Sequence, residues 1–163
     1  MFRIGIGYDI HRLVGGRDLV LGGVKVPFSL GLDGHSDADV LVHAIIDAML
    51  GALSLPDIGI LFPDDEERYR GISSVRLLEK VAGIASAKGF RPINIDSVIM
   101  AEKPKLASYL PEIKAELARA LKIDKDSIGI KATTMEGLGA IGNSEAIAVQ
   151  AVVLLCKDRQ GTS

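Results

Sequence analysis

The spacing of apolar positions changes along the chain, and each change predicts an element. Residues 3–13 read as a first strand. A short hairpin follows over residues 15–27, with Gly22-Gly23 as its turn. Leu41, Ile45, Ala48 and Ala52 then repeat at i, i+4, i+7 and i+11, predicting a helix over residues 38–53 capped by Asp37. Asp39, His43 and Asp47 fall on its opposite face. Residues 55–65 hold two prolines and three aspartates and read as loop. A second helix spans residues 74–88 and stops at Gly89.

The β-branched stretch 93–101 predicts a strand that Pro104 ends. Pro111 is placed as the first residue of a third helix, whose apolar face is Ile113, Leu117, Ala120 and Leu121. Residues 128–134 read as strand, 136–144 as a glycine-rich loop, and 146–156 as a strand buried on both faces. Strands and helices interleave around one sheet, so the fold class is α+β: one mixed β-sheet with about three helices on one side. Four Phe, three Tyr and no Trp are few to cover the remaining sheet surface. Oligomerisation would cover it.

At 163 residues with its glycines scattered and no internal repeat, the chain reads as a single domain over residues 1–163. A net charge of −2 without a basic block, and few aromatic platforms, argue against nucleic acid as a partner. No apolar run is long enough for a membrane helix, and the N-terminus lacks the apolar core of a secretory signal, so a cytoplasmic protein or a processed plastid one is expected. The single cysteine, Cys156, leaves no internal disulfide and no thiolate cluster. Any metal must be held by imidazole and carboxylate.

All three histidines, His11, His35 and His43, lie within the first 43 residues. Asp9 and His11, two apart on a strand, project from one face, and His43 on a helix packed against that face completes a set of three. One carboxylate and two imidazoles suit zinc, and three protein ligands leave a fourth position for water or substrate. Asp47, one turn beyond His43, is placed to hold its imidazole, or is equally an ordinary solvated aspartate. The alternative is a strand-end Asp9, an exposed His11 and a His43 satisfied within its helix.

The segment from Gly34 to Asp39 lies at a helix start, where unpaired N–H groups favour a phosphate; capping by Ser36 and Asp37 accounts for everything there except His35. Residues 137–142 match G-x-G-x-x-G, but the chain after Gly142 is β-rich and too short for a dinucleotide fold. Gly5 and Gly7 fail the same test because position 10 is Ile. At the end of the strand over residues 128–134, Thr133 and Thr134 can bind phosphate oxygens and Glu136 a hard cation. Threonines are equally ordinary strand residues.

Together, Asp9-Ile10-His11, Gly34-His35-Ser36-Asp37, His43, Asp57-Ile58-Gly59, Phe62-Pro63-Asp64, Lys103-Pro104-Lys105 and Ala132-Thr133-Thr134-x-Glu136 resemble the 2-C-methyl-D-erythritol 2,4-cyclodiphosphate synthases over residues 3–157. The resemblance implies a homotrimer packed around its sheets, with active sites between neighbouring subunits. It implies conversion of 4-diphosphocytidyl-2-C-methyl-D-erythritol 2-phosphate to the cyclic diphosphate with release of CMP, in the non-mevalonate route to isoprenoid precursors. Asp9, His11 and His43 match the zinc ligands, and Glu136 the residue on a second ion, Mg²⁺ or Mn²⁺. His35 and Thr134 match the positions assigned to positioning and transition-state stabilisation.

For the substrate, the resemblance implies contacts from Asp9, Ile10, His11, His35 and Ser36. It adds Asp57, Ile58, Gly59, Leu61, Phe62, Pro63, Asp64 and Asp65 at the subunit junction, and Thr133, Thr134, Met135 and Glu136 at the phosphates. Ala101, Glu102, Lys103, Pro104, Lys105, Leu106 and Ala107 resemble the cytidine pocket. The chain departs from the pattern at Ala140 and Asn143, where many relatives carry an aromatic and an arginine lining a trimer cavity, and at Pro56, which replaces a common glycine. A zinc phosphohydrolase would use the same three ligands with water as nucleophile, and a metal-stabilised trimeric module would use them without turnover.

Overall fold

The computed structural model describes residues 1–63, 65–69 and 71–158. Strand β1 (Phe2–Gly15) leads into a separate hairpin of β2 (Leu19–Leu21) and β3 (Val24–Val26), then β4 (Leu30–Leu32) and helix α1 (Val40–Ala52). A short α2 (Ile58–Leu61) and α3 (Ser74–Ala87) precede β5 (Phe90–Met100), α4 (Leu110–Leu121), β6 (Ile128–Thr133), a one-turn α5 (Gly139–Gly142) and β7 (Ala146–Lys157). The five-stranded sheet runs β4-β1-β7-β5-β6. Only β5 and β6 pair in parallel, so the sheet is mixed.

Helix α1 crosses the sheet over β1 and β7, and two glycines set how closely it lies. A Cβ built on Gly5 would stand 1.9 Å from the Ala48 carbonyl oxygen, and one on Gly7 would stand 2.0 Å from that of Ala44. Neither position admits a side chain, and the facing Ala44, Ala48 and Ala52 are the small residues such an approach needs. The two glycines are therefore packing residues. Ile147, Val149, Ala151 and Val153 of β7 are buried on the same face.

Helix α1 differs from its expected amphipathic form. Val40, Val42, Ala44 and Ile46 are as buried as Leu41 and Ile45, because α3 and the β2–β3 hairpin cover the side away from the sheet. Its N-cap is Asp39, not Asp37. The Asp39 carboxylate is completely buried and accepts from the backbone N–H groups of Val42, Gly22 and Gly23, tying the helix start to the hairpin turn. Ala38 adopts a left-handed φ of 55°, which sends Asp37 and Asp39 in different directions. Asp37 is free to cap α3 instead, accepting from Ser74 N at 3.0 Å.

The loops over residues 55–65 and 136–144 each contain one helical turn, α2 and α5. Strand β7 is not buried on both faces within one chain: Val152, Leu154 and Cys156 are half-buried and Gln150 is exposed. Beside them Phe2, Ile4, Ile6, Tyr8 and Ile10 of β1 stand 45–70% exposed, an apolar sheet face opposite the helices. Among the described residues no helix is long and apolar enough to cross a membrane.

Candidate active site

Period-two geometry brings Asp9 and His11 to the helix-covered face of β1, and the close seat of α1 delivers His43 from its first turn. Asp9 Oδ2 lies 2.9 Å from His11 Nε2 and 3.1 Å from His43 Nδ1, and the two ring nitrogens are 3.2 Å apart. Bonds of about 2.0–2.1 Å to a tetrahedral zinc set neighbouring ligand atoms about 3.3 Å apart. The triangle matches one face of such a tetrahedron, so these residues fit a metal.

The outer atoms of the triangle are already engaged. Ile10 N donates to Asp9 Oδ1 at 2.8 Å, leaving Oδ2 for the two rings. His11 Nδ1 lies 2.6 Å from the Asp33 carbonyl oxygen, so Nδ1 donates and Nε2 is turned inward. Burial works against the charge on Asp9, yet hydrogen bonds from His11 and His43 outweigh it and hold the carboxyl far below the usual carboxylate range. Burial also opposes protonation of His11, but the adjacent Asp9 carboxylate raises its pKa above the ordinary value. Among the described residues these three are the one group of side chains placed to share a metal.

The triangle opens into a cleft also lined by His35, Ser36, Ile58, Gly59 and Phe62. His35 Nε2 is buried there with no hydrogen-bond partner among the described residues. Arg17 holds this wall, donating to the Gly34 carbonyl at 2.6 Å and the Ser36 carbonyl at 2.7 Å. Asp57 caps α2 through Ile60 N, and Leu61, Pro63 and Asp65 continue the same segment. Asp64 lies outside the described residues. Two expectations change. Asp47 accepts from Ile58 N at 2.8 Å, fixing α2, while His43 Nε2 is met by Ser74 Oγ at 2.8 Å. The side chain of Ile10 stands on the opposite sheet face, so only its backbone belongs to the cleft.

The remaining residues gather elsewhere. Ala101, Glu102, Pro104, Lys105, Leu106 and Ala107 line a second pocket with Ala132, Thr133 and Thr134, and Lys103 precedes Pro104 there through a cis peptide bond. Thr134 Oγ1 donates to Glu136 Oε1 at 3.0 Å, and Met135 N donates to Glu102 Oε2 at 3.3 Å. Asp9 pairs with Val149, Val149 with Ile99, and Ile99 with Ala132, so two strands separate the pockets. At about 4.8 Å per strand that is roughly 14 Å. One chain does not bring Glu136 to the triangle.

Residues 2–156 match the model of the YgbB family. The chain belongs to the YgbB family. This YgbB chain is 54% identical over 157 residues to the 2-C-methyl-D-erythritol 2,4-cyclodiphosphate synthase of Desulfitobacterium hafniense, covering 96% of its own length and 99% of that protein. It superimposes on the CDP complex of IspF from Plasmodium falciparum with a TM-score of 0.86 at 35% identity, covering 97% of each chain. With the bifunctional IspDF of Campylobacter jejuni the TM-score is 0.93 at 39% identity, over 96% of this chain and 42% of that one. The YgbB chain thus spans less than half of that bifunctional protein.

Sequence reasoning missed Ser74, Asp33 and Arg17, which hold the ligands and the wall from behind. They lie between 17 and 31 residues from the groups they meet, so no local spacing signals them.

Proposed function

We propose that this chain converts 4-diphosphocytidyl-2-C-methyl-D-erythritol 2-phosphate to 2-C-methyl-D-erythritol 2,4-cyclodiphosphate and CMP, in non-mevalonate isoprenoid precursor biosynthesis. The observation that carries the reading is the Asp9–His11–His43 triangle, open on one side to a cleft, in a chain whose relatives are synthases of that name. In the reaction an oxygen of the 2-phosphate bonds to the β-phosphorus while the bond from that phosphorus to the bridging oxygen breaks, and CMP carries the electron pair away. The nucleophile is already anionic at neutral pH, so neither a Ser-His-Asp triad nor paired acid and base carboxylates are needed. Alignment and charge neutralisation are needed.

Asp9, His11 and His43 would hold zinc, and Glu136 would hold Mg²⁺ or Mn²⁺; bound there, the cations would neutralise phosphate charge and let the anionic groups approach. His35 and Ser36 orient the 2-phosphate end in the cleft, and Thr133 and Thr134 donate to diphosphate oxygens. The 101–107 pocket takes the cytidine, a placement supported by the CDP held in the Plasmodium falciparum relative.

These two halves face one substrate only if they come from different copies of the chain. We therefore read the protein as a homotrimer whose exposed sheet face, from Phe2 to Ile10, is the contact between copies. It works as one domain in the cytoplasm, or in the plastid stroma of a plant cell. The test is product analysis by anion-exchange chromatography with substrate, Zn²⁺ and Mg²⁺. CMP released one for one with a cyclic diphosphate supports cyclisation; CMP released with a linear 2,4-bisphosphate, or inorganic phosphate in place of the cyclic product, replaces it with hydrolysis.

A further inference from the structure

His43 is held on the side away from the triangle by a pair of residues outside the proposed catalytic set. Its Nε2 lies 2.8 Å from Ser74 Oγ and 3.3 Å from Ser36 Oγ. Ser74, the first residue of α3, is completely buried. Its hydroxyl donates to Asp37 Oδ1 in a short hydrogen bond, and its backbone N–H donates to Asp37 Oδ2 at 3.0 Å. Asp37 is in turn fixed by its own backbone, since Asp37 N donates to the Ile72 carbonyl at 3.1 Å.

Proton accounting gives the chain a direction. A carboxylate offers only acceptors, and a hydroxyl has one proton. Ser74 gives that proton to Asp37, so toward His43 it presents lone pairs alone. His43 Nε2 must then carry the proton. In a neutral ring this leaves Nδ1 bare toward His11 and Asp9; Asp9 Oδ2 competes for the proton through Nδ1, but at 3.1 Å against 2.8 Å for Ser74 Oγ at Nε2. The opposite tautomer would give Asp9 an N–H but put that proton into the triangle, and it would leave two acceptors facing each other at the shorter distance, 2.8 Å.

We infer that Ser74 and Asp37 are positioning residues for His43, a relay that fixes its imidazole in the Nε2–H tautomer with Nδ1 free to bind a metal. This rests on the reading of Asp9, His11 and His43 as metal ligands. The chain between α2 and α3 is tied to this segment by two backbone bonds, Asp37 N to the Ile72 carbonyl and Gly71 N to the His35 carbonyl at 2.9 Å. The Ser36 hydroxyl is the competing partner, longer by 0.5 Å from 3.3 against 2.8 Å.

The test uses the full chain, stripped of metal and labelled with ¹⁵N at histidine, at about pH 8.5, where ordinary imidazoles are neutral. Two-bond ¹H–¹⁵N spectra read the tautomer of His43 directly. The wild type is expected as Nε2–H, Ser74→Ala as a mixture of tautomers, and Ser36→Ala as Nε2–H still. Zinc affinity, measured with zinc alone against a chelator, should fall about 10–100-fold in Ser74→Ala and only a few-fold at most in Ser36→Ala. A merely structural Ser74 would lower the melting temperature without moving the tautomer. A wild-type His43 in the Nδ1–H form overturns the inference, and so does a Ser74→Ala protein with unchanged tautomer and zinc affinity, or an equal effect from Ser36→Ala. The wild-type spectrum decides even if Ser74→Ala does not fold. A wild type that shows the Nε2–H form but takes up no zinc would sink the metal reading and leave the relay standing.

Discussion

Gly7 faces the carbonyl of Ala44 so closely that a Cβ on Gly7 would stand 2.0 Å from its oxygen and 2.7 Å from Ala48 N. The contact is backbone against backbone, so nothing flexible can yield. It seats α1 on β1 one residue beyond His43, and so sets the span between His43 and the Asp9–His11 pair. Gly7→Ala should lift the helix at that point, destabilise the fold by about 1–3 kcal/mol as overpacking does, and weaken zinc binding. Gly5→Ala, which presses on Ala48 and Ala52 farther along the helix, should cost similar stability with less loss of zinc. Urea unfolding and chelator competition on both variants check this; equal zinc loss in the two would separate the helix seat from the ligand geometry.

His43→Ala removes one corner of the triangle, and the remaining Asp9 and His11 are a poor zinc site. Zinc should be lost on dialysis and turnover should fall below detection, while size-exclusion chromatography still shows the assembled protein, because His43 lies on the sheet face opposite the exposed apolar residues. A zinc-free variant that keeps turnover would contradict a role for the metal in the reaction.

A site divided between copies makes a sharper demand. Glu136→Gln should be nearly inactive and respond weakly to Mg²⁺, and His43→Ala should be inactive, each on its own. Trimers assembled from equal amounts of the two should regain on the order of a quarter of the wild-type sites, those where an intact triangle meets an intact Glu136. Activity of co-refolded mixtures measures this. No recovery, in mixtures shown to contain both chains in one particle, would place the whole site within a single subunit.

Asp39 supplies a pH signature. Burial, with the nearby Asp37 charge, pushes its carboxyl up to about 6 against three backbone N–H donors that pull the other way. The folded chain therefore binds this proton more tightly than the unfolded chain, whose carboxyls titrate near 4. Its stabilising contribution is full below about pH 4 and is lost as pH rises through about 6, a change on the order of 2–3 kcal/mol. Asp39→Asn cannot titrate. The stability difference between wild type and Asp39→Asn, from urea midpoints, should shrink as pH rises from 4 to 7; a difference that grows would mean the carboxyl is held ionised.

The features legible in the sequence are those that depend on local period. Asp9 and His11 share a face because a strand has a period of two, and Ile113, Leu117, Ala120 and Leu121 are buried because a helix has a period near 3.6. The features that are not legible depend on contacts between distant segments. Local spacing points to Ser36 and Asp37 as caps and leaves Asp39 on the polar face of the helix, and only the left-handed turn at Ala38 assigns Asp39 to α1 and Asp37 to α3. Gly5 and Gly7 resemble a broken nucleotide motif because their partner, the backbone of α1, lies some forty residues away in the chain. Ser74 carries no motif at all; its meaning comes from meeting His43 across 31 residues.

Cyclisation itself is read most directly by phosphorus NMR of the purified protein with 4-diphosphocytidyl-2-C-methyl-D-erythritol 2-phosphate, Zn²⁺ and Mg²⁺. The expected result is two mutually coupled resonances of a cyclic diphosphate rising together with CMP as the substrate signals fade. Substrate that persists with both metals present, or an inorganic phosphate signal in place of the coupled pair, would contradict the proposed reaction.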